Sequence, residues 1–384
     1  MIPFTKPGAS EPYHVMGARV TRAALDDATL DYSRVQQAYV GYVYGDSTCG
    51  QKALYGVGMT GIPVINVNNN CSTGSTALFL ARQAVESGAI ECALALGFEQ
   101  MEPGALCVKF PDRPTPFETF DHITEELVLV GHEEIPLAIR YFGGAGLSHM
   151  QKYGTKIETF ARIRAKASRH AVNNPFAIFR KELSAEDVLA SPVIMHPVNR
   201  LMACAPTCGA AAAILCSAAF ARKHNLDQTV FIAAQSMTTD TPATFESKDM
   251  IDLVGYSMAQ EAARQVYEQA SVSPDDVDVI ELHDCFAQNE LISCEALGLA
   301  AEGEGEKLVW DNDNTYGGKF VIDPSGGLLS KGHPLGATGL AQCAELVEQL
   351  RGRAGLRQVE DARIGLQHNL GLGGACVVTL YSRK

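Results

Sequence analysis

The sequence lacks several features that would place it in common functional classes. Its 384 residues carry a formal net charge of −13, so it has no general excess of the basic residues that nucleic acids or anionic membrane surfaces attract. The longest apolar run, residues 209–220, is alanine-rich and too short to cross a bilayer. The N-terminus has no apolar stretch of signal-peptide length. We therefore expect an intracellular protein with no membrane span and no nucleic-acid partner.

Signatures of several common site types are also missing. The 11 cysteines show no regular close spacing, which favours a reducing interior over a disulfide scaffold. Neither a phosphate-binding loop nor a dinucleotide-binding fingerprint occurs, because the glycines of residues 371–374 precede a strand pattern and not a helix. The C-terminus is not the Ser-Lys-Leu peroxisomal address. These absences leave the compartment open.

The chain has an ordinary globular composition, with 46% hydrophobic and 20% charged residues, and is long enough for two or three domains. Strand and helix patterns alternate in both halves, which predicts mixed or parallel sheets covered by helices. Residues 106–204 interrupt this alternation and are locally basic, so they are interpreted as an inserted lobe. The predicted strands are 37–42, 92–96, 230–234, 278–282, 363–367 and 375–380, and predicted helices cover 19–28 and 258–270.

Two short stretches look like copies of one sequence motif with different reactive residues at the first, or head, position. Residues 71–78 read CSTGSTAL, and residues 333–340 read HPLGATGL. Glycine, threonine and leucine recur three, five and seven positions after each head residue. Each stretch leads into an apolar helical pattern. If the two halves pack face to face, the thiol of Cys71 and the imidazole of His333 meet at two helix N-termini, as in a cysteine acyl-transfer site.

The residues around each head support this interpretation. Cys71 follows a strand pattern and precedes a helix, where free backbone N–H groups and the helix dipole favour a thiolate. The alternative is one more buried structural cysteine. His333 is followed by a proline that suits a first helical turn, which would hold the imidazole where it can take the thiol proton. The alternative is a core histidine, which explains the flanking glycines poorly.

Two further motifs lie at predicted strand ends. Residues 283–286 (HDCF) add a second histidine and a second thiol, and their alternative is an incidental strand-end loop. A metal site is a weaker interpretation, because no CxxC or HxxH spacing supplies four ligands. Residues 367–374 form a glycine-rich turn whose backbone N–H groups could donate to an oxyanion, or which is only a tight hairpin.

Taken together, these motifs resemble the thiolase superfamily, and within it the group that contains the thiolase domain of sterol carrier protein X. The resemblance covers nearly the whole chain. Most thiolases carry an Asn-Glu-Ala-Phe-type loop and a second catalytic cysteine near the C-terminus. Here His-Asp-Cys-Phe and Asn369 stand in those places, as in the sterol carrier group. The motifs are residues 68–71 (NNNC), 283–286 (HDCF), 332–339 (GHPLGATG) and 368–371 (HNLG).

The resemblance implies an α/β fold of two duplicated βαβαβαββ halves in layered α/β/α/β/α packing, with an inserted loop domain. It also implies thiolytic cleavage of 3-oxoacyl-coenzyme A. By matching motif, Cys71 would be the acylated nucleophile, His333 its base, and Cys285 the second acid/base. His283 and His333 would face the enolate oxygen, and backbone N–H groups of Cys71 and Gly371 would hold the thioester oxyanion, with Asn369 in a supporting position.

The domains implied are residues 1–105 for the N-terminal half, 106–204 for the inserted loop domain, 205–225 for the return to the N-terminal half, and 226–384 for the C-terminal half. The first strand of the family has no counterpart before the first helix. We therefore expect an N-terminal sheet one strand short, from a misassigned start or a truncated gene product.

The resemblance further implies acyl-CoA and CoA as partners, CoA being a co-substrate, with no bound cofactor, no metal and a homodimeric assembly. The compartment would be the peroxisome in a eukaryote and the cytoplasm in a bacterium. The inserted lobe is a candidate for binding the CoA phosphates.

Three rival functions are considered. Ketoacyl synthases share the fold but use two histidines with the cysteine, and Cys285 argues against them. A retro-aldol lyase is a chemical rival, although such relatives tend to lack the nucleophilic cysteine. A non-catalytic lipid-binding relative is the third.

Overall fold

The computed structural model describes residues 1–103, 109–128 and 135–384. The strands are β1 (Gln37–Gly41), β2 (Val64–Val67), β3 (Cys92–Glu99), β4 (Val193–Met195), β5 (Val198–Asn199), β6 (Gly209–Cys216), β7 (Val230–Thr238), β8 (Val279–Glu281), β9 (Val321–Ile322), β10 (Ile364–Gly371) and β11 (Ala375–Arg383). The helices are α1 (Tyr13–Asp27), α2 (Cys49–Tyr55), α3 (Thr73–Glu86), α4 (Glu118–Val128), α5 (Leu137–Tyr153), α6 (Ile157–Ala171), α7 (Ala185–Leu189), α8 (Ala218–Lys223), α9 (Pro242–Glu246), α10 (Met250–Leu253), α11 (Tyr256–Ala270), α12 (Ala287–Ala296), α13 (Gly305–Trp310) and α14 (Thr338–Leu350).

The two halves build sheets of matching topology. In the C-terminal half the order is β9-β8-β10-β11-β7, with parallel β9/β8 and β8/β10 pairs and antiparallel β10/β11 and β11/β7 pairs. In the N-terminal half the order is β2-β1-β3-β6, with two parallel pairs followed by the antiparallel β3/β6 pair. The duplication expected from the resemblance is therefore present.

The N-terminal sheet has four strands, one fewer than its counterpart. Beside the free edge of β6, residues 2–5 run antiparallel to the start of that strand. The amide of Ile2 donates to the carbonyl of Ala210 at 3.1 Å, and Thr5 exchanges two backbone hydrogen bonds with Cys208 at 2.8 and 3.0 Å. A short extended segment therefore covers part of the edge that β7 covers in the other half.

Helices α3 and α14 form a central layer between the two sheets. Each packs on the other and on strands of both halves, while α1 and α2 cover the outer face of the N-terminal sheet and α11 covers the outer face of the C-terminal sheet. Small residues permit the close central packing: a Cβ on Gly74 would lie 2.8 Å from the carbonyl oxygen of Gly336. The result is the layered α/β/α/β/α arrangement that the resemblance implies.

Most predicted elements occur, with different ends. The first helix begins at Tyr13, ahead of the predicted residue 19, and β10 continues through Gly371. Residues 368–371 are thus part of a strand, and the turn is confined to residues 372–374. Helix α14 begins at Thr338, so Pro334 precedes the helix, contrary to the prediction that it occupies the first helical turn.

Between β3 and β6, the described residues 109–128 and 135–204 form helices α4 to α7 and the β4/β5 hairpin. This segment shares a hydrophobic core with the C-terminal half; the rings of Phe142 and Phe286 stack with centroids 4.9 Å apart. Over the described residues, no helix combines the length and apolarity that crossing a membrane requires.

Candidate active site

Cys71 lies in a tight connection between β2 and α3. Asn70 adopts a left-handed backbone conformation (φ 50°), which turns the chain toward the helix. The hydroxyls of Ser72 and Thr73 donate to the carbonyls of Asn69 and Asn70 at 2.9 and 2.6 Å, and the amide of Asn69 donates to the Thr73 hydroxyl at 2.8 Å. The hydroxyl side chains of Ser72 and Thr73 thus bind the preceding turn and fix the position of Cys71 next to the helix start.

His333 is held by the turn that precedes α14. Its Nδ1 lies 2.7 Å from the Thr338 hydroxyl, which donates its own proton to the carbonyl of Pro334 at 3.0 Å. A hydroxyl has a single proton, so Thr338 must accept from Nδ1–H of the neutral ring. The Nε2 atom of His333 therefore carries the lone pair, and among the described residues it has no hydrogen-bond partner. The imidazole is arranged as a proton acceptor.

The structure brings the predicted head groups together. The thiol of Cys71 and ring nitrogens of His283 and His333 all lie within 4.8 Å of one another. The two imidazole rings meet edge to face, with centroids 5.0 Å apart and an interplanar angle of 83°. One thiol and two imidazoles, from three separate chain segments, therefore share one buried pocket.

Burial controls the protonation of this pair. Burial, followed by the charge of Glu99, raises the pKa of Cys71 to about 12, and the backbone amide of Cys71 lowers it only partly. Burial also lowers the pKa of His333 to about 3. The prediction that the helix N-terminus favours a thiolate at Cys71 is therefore wrong, because desolvation outweighs the helix contribution. The two shifts favour a protonated thiol and a neutral imidazole.

Cys285 follows β8 and lies close enough to Cys71 for the two groups to interact electrostatically. It is buried, and burial raises the pKa of its thiol well above the ordinary value, with further contributions from Cys204 and Cys71. The amide of Cys204 donates to the carbonyl of Cys285 at 2.9 Å. A third, partly buried thiol therefore lies beside the predicted acid/base. Sequence reasoning missed Cys204, since the inserted lobe gives it no motif of its own.

Gly371 and Asn369 lie at the end of β10, against the Cys71 turn. A Cβ on Gly371 would lie 2.2 Å from the carbonyl oxygen of Asn69 and 2.7 Å from the Ser72 hydroxyl, so only glycine permits this approach. Asn369 accepts from the Ser75 hydroxyl at 2.8 Å, and its amide nitrogen lies 3.1 Å from Nδ1 of His283. The oxyanion role of the Cys71 and Gly371 amides stays a prediction.

A buried carboxylate joins the two halves at the site. Glu99, the last residue of β3, accepts from the amides of Val43 and Tyr44 at 3.1 and 3.0 Å and from that of Gly336 at 2.9 Å. Burial raises the pKa of Glu99 to about 7, against these hydrogen bonds. Sequence reasoning missed this residue; the available signal was one acidic side chain ending an otherwise apolar strand.

Other buried charges lie under the loop that presents His333. Asp284 accepts from the amides of Leu328 and Leu329 at 2.6 and 3.3 Å, and Lys331 pairs with Glu281 at 2.8 Å. A Cβ on Gly327 (φ 59°) would clash with the Asp284 carboxylate. The His-Asp-Cys-Phe segment thus brings His283 to Cys71 and His333, while Asp284 fixes the neighbouring loop.

Within the part of the chain that the structure describes, two groups of side chains have metal-site spacing. They are Cys71 with His283 and His333, and Asp284 with Glu290 and Asp323. The second group already has the ammonium of Lys166 bonded to Glu290, and that cation opposes a metal ion there. In the first group, the hydrogen bond from Asn369 to Nδ1 of His283 favours a proton on Nε2, which opposes coordination through that atom.

The basic residues of the inserted lobe are not equally free to bind phosphate. Arg164 and Lys166 are buried and bonded to Ser330 and Glu290, so they are not free to bind phosphate. Others are engaged at the surface: Arg140 with Asp121, Lys152 with Asp249 and Glu302, and Lys156 and Arg162 over the Trp310 ring.

The sequence and the fold have clear counterparts among known proteins. Residues 1–113 match the family model for the thiolase N-terminal domain, and residues 240–382 match that for a thiolase C-terminal domain-like region. The chain is 56% identical to sterol carrier protein 2 of Oryctolagus cuniculus over 99% of its own length and 70% of the relative. It is 35% identical to an acetyl-CoA acetyltransferase of Methanothermobacter thermautotrophicus over 94% of its length and 92% of the relative.

Solved structures agree at the level of the fold. The Ltp2–ChsH2(DUF35) aldolase matches with a TM-score of 0.81 at 20% identity, covering 99% of this chain and 96% of that one. Human mitochondrial 3-ketoacyl-CoA thiolase matches with a TM-score of 0.74 at 18% identity, covering 100% of this chain and 97% of that one. With the sequence matches over almost the entire chain, these findings show that the protein belongs to the thiolase superfamily and is an enzyme of the acyltransferase class.

Proposed function

We propose that the protein cleaves 3-oxoacyl-CoA with CoA, releasing acetyl-CoA or propanoyl-CoA and a shortened acyl-CoA through an acyl-cysteine intermediate. The observation that carries this proposal is the meeting of Cys71, His283 and His333 within 4.8 Å. Cys285 is also buried and interacts electrostatically with Cys71. A reaction that breaks one carbon–carbon bond and transfers one acyl group needs a nucleophile, its base, a second acid/base and donors for two oxyanions.

In the first step, the sulfur of Cys71 bonds to C3 of the substrate as its proton passes to the free Nε2 of His333. The C2–C3 bond then breaks and leaves an enolate of the shorter thioester. Protonated His333 and His283 donate to the enolate oxygen, and the thiol of Cys285 gives its proton to C2. Burial keeps the Cys285 thiol protonated until then, since it raises its pKa.

In the second step, the Cys285 thiolate takes the proton of incoming CoA. The CoA sulfur attacks the acyl carbon, and backbone N–H groups of Cys71 and Gly371 hold the oxyanion. Cys71 leaves and recovers its proton from His333. Both cysteines end as thiols, so the cycle closes without any external reductant or cofactor.

The test is an assay of acetoacetyl-CoA with CoA, combined with intact-mass measurement of the enzyme. The expected products are two acetyl-CoA, and without CoA the enzyme should gain one acetyl group. Cys71→Ala should abolish both results. Cys285→Ala should still acylate slowly and lose about 10²–10⁴ in turnover, the usual contribution of a general acid or base.

Cys216→Ala is the matched control, because Cys216 is only partly buried and lies at the far end of β6. It should behave as the unaltered enzyme. Normal thiolysis by Cys71→Ala would refute the nucleophile assignment, and release of an aldehyde or ketone from a 3-hydroxyacyl-CoA without thiolysis would favour a retro-aldol lyase.

We propose branched-chain, fatty-acid or sterol side-chain β-oxidation as the pathway, and a homodimer as the assembly. The dimer proposal is supported by β2, a half-buried edge strand of the N-terminal sheet that leaves one side open for pairing. Light scattering should give a mass near twice 41.2 kDa. For a eukaryotic source we propose a peroxisomal location.

A further inference from the structure

A chain of buried hydrogen bonds ends on the imidazole of His283. It begins at Gln367, whose amide nitrogen donates to the carbonyl oxygen of Gly339 at 2.8 Å. A carbonyl can only accept, so this contact fixes which end of the Gln367 amide is the nitrogen. The other end, Oε1, accepts from the hydroxyl of Tyr381 at 2.5 Å.

The directions of the following bonds are those that give each buried proton an acceptor. The Gln367 amide nitrogen also donates to the Ser75 hydroxyl at 2.8 Å, so that oxygen is an acceptor. The single proton of Ser75 is left to donate to Oδ1 of Asn369 at 2.8 Å. The amide nitrogen of Asn369 therefore faces His283, and it donates to Nδ1 across 3.1 Å.

We infer that Ser75 and Asn369 are positioning residues that lock His283 in the tautomer with its proton on Nε2, so that it acts as a fixed hydrogen-bond donor to the enolate oxygen. This inference rests on the proposed function for its use of the enolate. The two imidazoles of the pocket then have opposite roles: Thr338 leaves Nε2 of His333 as an acceptor, while Asn369 leaves Nε2 of His283 as a donor.

Burial of the five side chains disfavours any other arrangement of these hydrogen bonds. Ser75, Gln367 and Asn369 are 0% exposed, and His283 and Tyr381 are 1% exposed, so water has no access to replace a missing partner. Reversing the Gln367 amide would place its oxygen against the carbonyl oxygen of Gly339, an acceptor against an acceptor, which is costly in a buried network. Burial together with the neighbouring imidazoles also lowers the pKa of His283 well below the ordinary value, which keeps the ring neutral and its tautomer meaningful.

The chain of hydrogen bonds crosses the boundary between the two halves of the protein. Ser75 belongs to α3 of the N-terminal half, whereas Gln367, Asn369 and Tyr381 belong to β10 and β11. The tautomer of His283 is therefore set only when the halves are packed together. An Asn in place of the usual cysteine at position 369 has a function under this inference, because a thiol cannot present two donors and an acceptor in one plane.

The test uses two half-reactions of the full chain. Exchange of the C2 protons of acetyl-CoA with D₂O passes through the enolate and needs the His283 donor. Transfer of the acetyl group between acetyl-CoA and labelled CoA passes through acyl-Cys71 and forms no enolate. In Asn369→Asp, the carboxylate can only accept, so neutral His283 must place its proton on Nδ1. The ratio of proton exchange to acetyl transfer should fall about 10²–10³-fold at pH 8, as for loss of one oxyanion donor.

Asn199→Asp is the matched control, since Asn199 is 2% exposed and its amide donates to the carbonyls of Leu189 and Ser191 in the inserted lobe. Any structural damage it causes should change both rates by the same factor and leave the ratio unaltered. Ser75→Ala frees the Asn369 amide to rotate and should lower the ratio by a smaller factor. An unchanged ratio in Asn369→Asp and Ser75→Ala would overturn the inference.

A measurement on the unaltered protein keeps the inference testable even where a variant fails to fold. ¹⁵N NMR of histidine-labelled protein, assigned with His283→Gln, should show an unprotonated Nδ1 and a protonated Nε2 for His283. The reverse pattern would overturn the inference. If the unaltered enzyme performs neither half-reaction but shows the expected shifts, the proposed function fails while the tautomer assignment stands.

Discussion

Desolvation determines the protonation states of single side chains at this site. Cys71 lies beside the start of a helix, yet burial raises its pKa to about 12, and burial lowers the pKa of His333 to about 3. Neutral partners cost less to bury than an ion pair, so burial favours a thiol and a neutral imidazole. Under the proposed mechanism, charge separation is delayed until a substrate oxygen and the backbone donors can share it.

His368 is a buried residue outside the proposed mechanism, and it has a pH-dependent effect on stability. Both ring nitrogens lack a hydrogen-bond partner among the described residues, and burial lowers the pKa of the ring to about 4 from an ordinary 6.5. The unfolded chain therefore binds the proton more readily between these values. The contribution of the neutral His368 ring to the free energy of unfolding is therefore fully present above pH 6.5 and decreases as the pH falls toward 4.

We predict that His368→Leu stabilises the protein more at pH 5 than at pH 7.5, by about 2 kcal/mol in the free energy of unfolding. Urea titrations at the two pH values measure this difference. His122→Leu is the control, because His122 is exposed on α4 and its surroundings change little on unfolding. Equal effects of His368→Leu at both pH values would contradict the prediction.

At the scale of elements, the site depends on how closely the turn before α14 approaches β1 and β3. A Cβ on Gly336 would lie 2.4 Å from the carbonyl oxygen of Phe98 and 2.8 Å from that of Gly41. Backbone atoms on both sides cannot move aside independently. The spacing between the Cys71 half and the His333 half is therefore set by the absence of one methyl group.

Gly336→Ala should destabilise the protein by about 1–3 kcal/mol through overpacking and reduce thiolysis strongly, because the halves must separate. Gly365→Ala is the matched control: its nearest atoms are side-chain carbons of Leu346, Leu350 and Val279 at 3.3–3.6 Å. Chemical unfolding and thiolysis assays of both variants measure the contrast. Full activity in Gly336→Ala would show that the approach of the halves does not control the site.

At the scale of the whole molecule, the inserted lobe and the C-terminal half form one packed body. The ammonium of Lys166, on α6, is bonded to Glu290 on α12, with exposures of 3% and 1% for the two side chains. Lys152, on α5, joins the same two regions through Glu302, but these side chains are 50% and 57% exposed. The two lysines therefore make comparable links in different dielectric environments.

Lys166→Ala should cost about 3–5 kcal/mol in the free energy of unfolding, because it leaves a buried carboxylate without its partner. Lys152→Ala should cost less than about 1 kcal/mol, since exposed ion pairs contribute little. Urea unfolding of both variants gives the comparison. Similar small losses would mean that the lobe is only loosely attached.

The sequence predicted the reactive pair and sheets covered by helices from local features, and the layered fold from the family resemblance. The repeated CSTGSTAL and HPLGATGL segments, together with alternating strand and helix patterns, were sufficient to expect two similar halves with Cys71 and His333 at their junction. Such features are visible because turn glycines and periodic apolar residues are local consequences of backbone geometry and burial.

Only the tertiary structure decided the charge and tautomer states of the site. Four features depend on groups brought together from distant parts of the chain. They are the pKa of Cys71, the hydrogen bonds of Glu99 to both halves, the thiol of Cys204 beside Cys285, and the donor direction at His283. Desolvation and hydrogen-bond direction are set by the complete surroundings of an atom, and those surroundings exist only after the two halves and the lobe have packed.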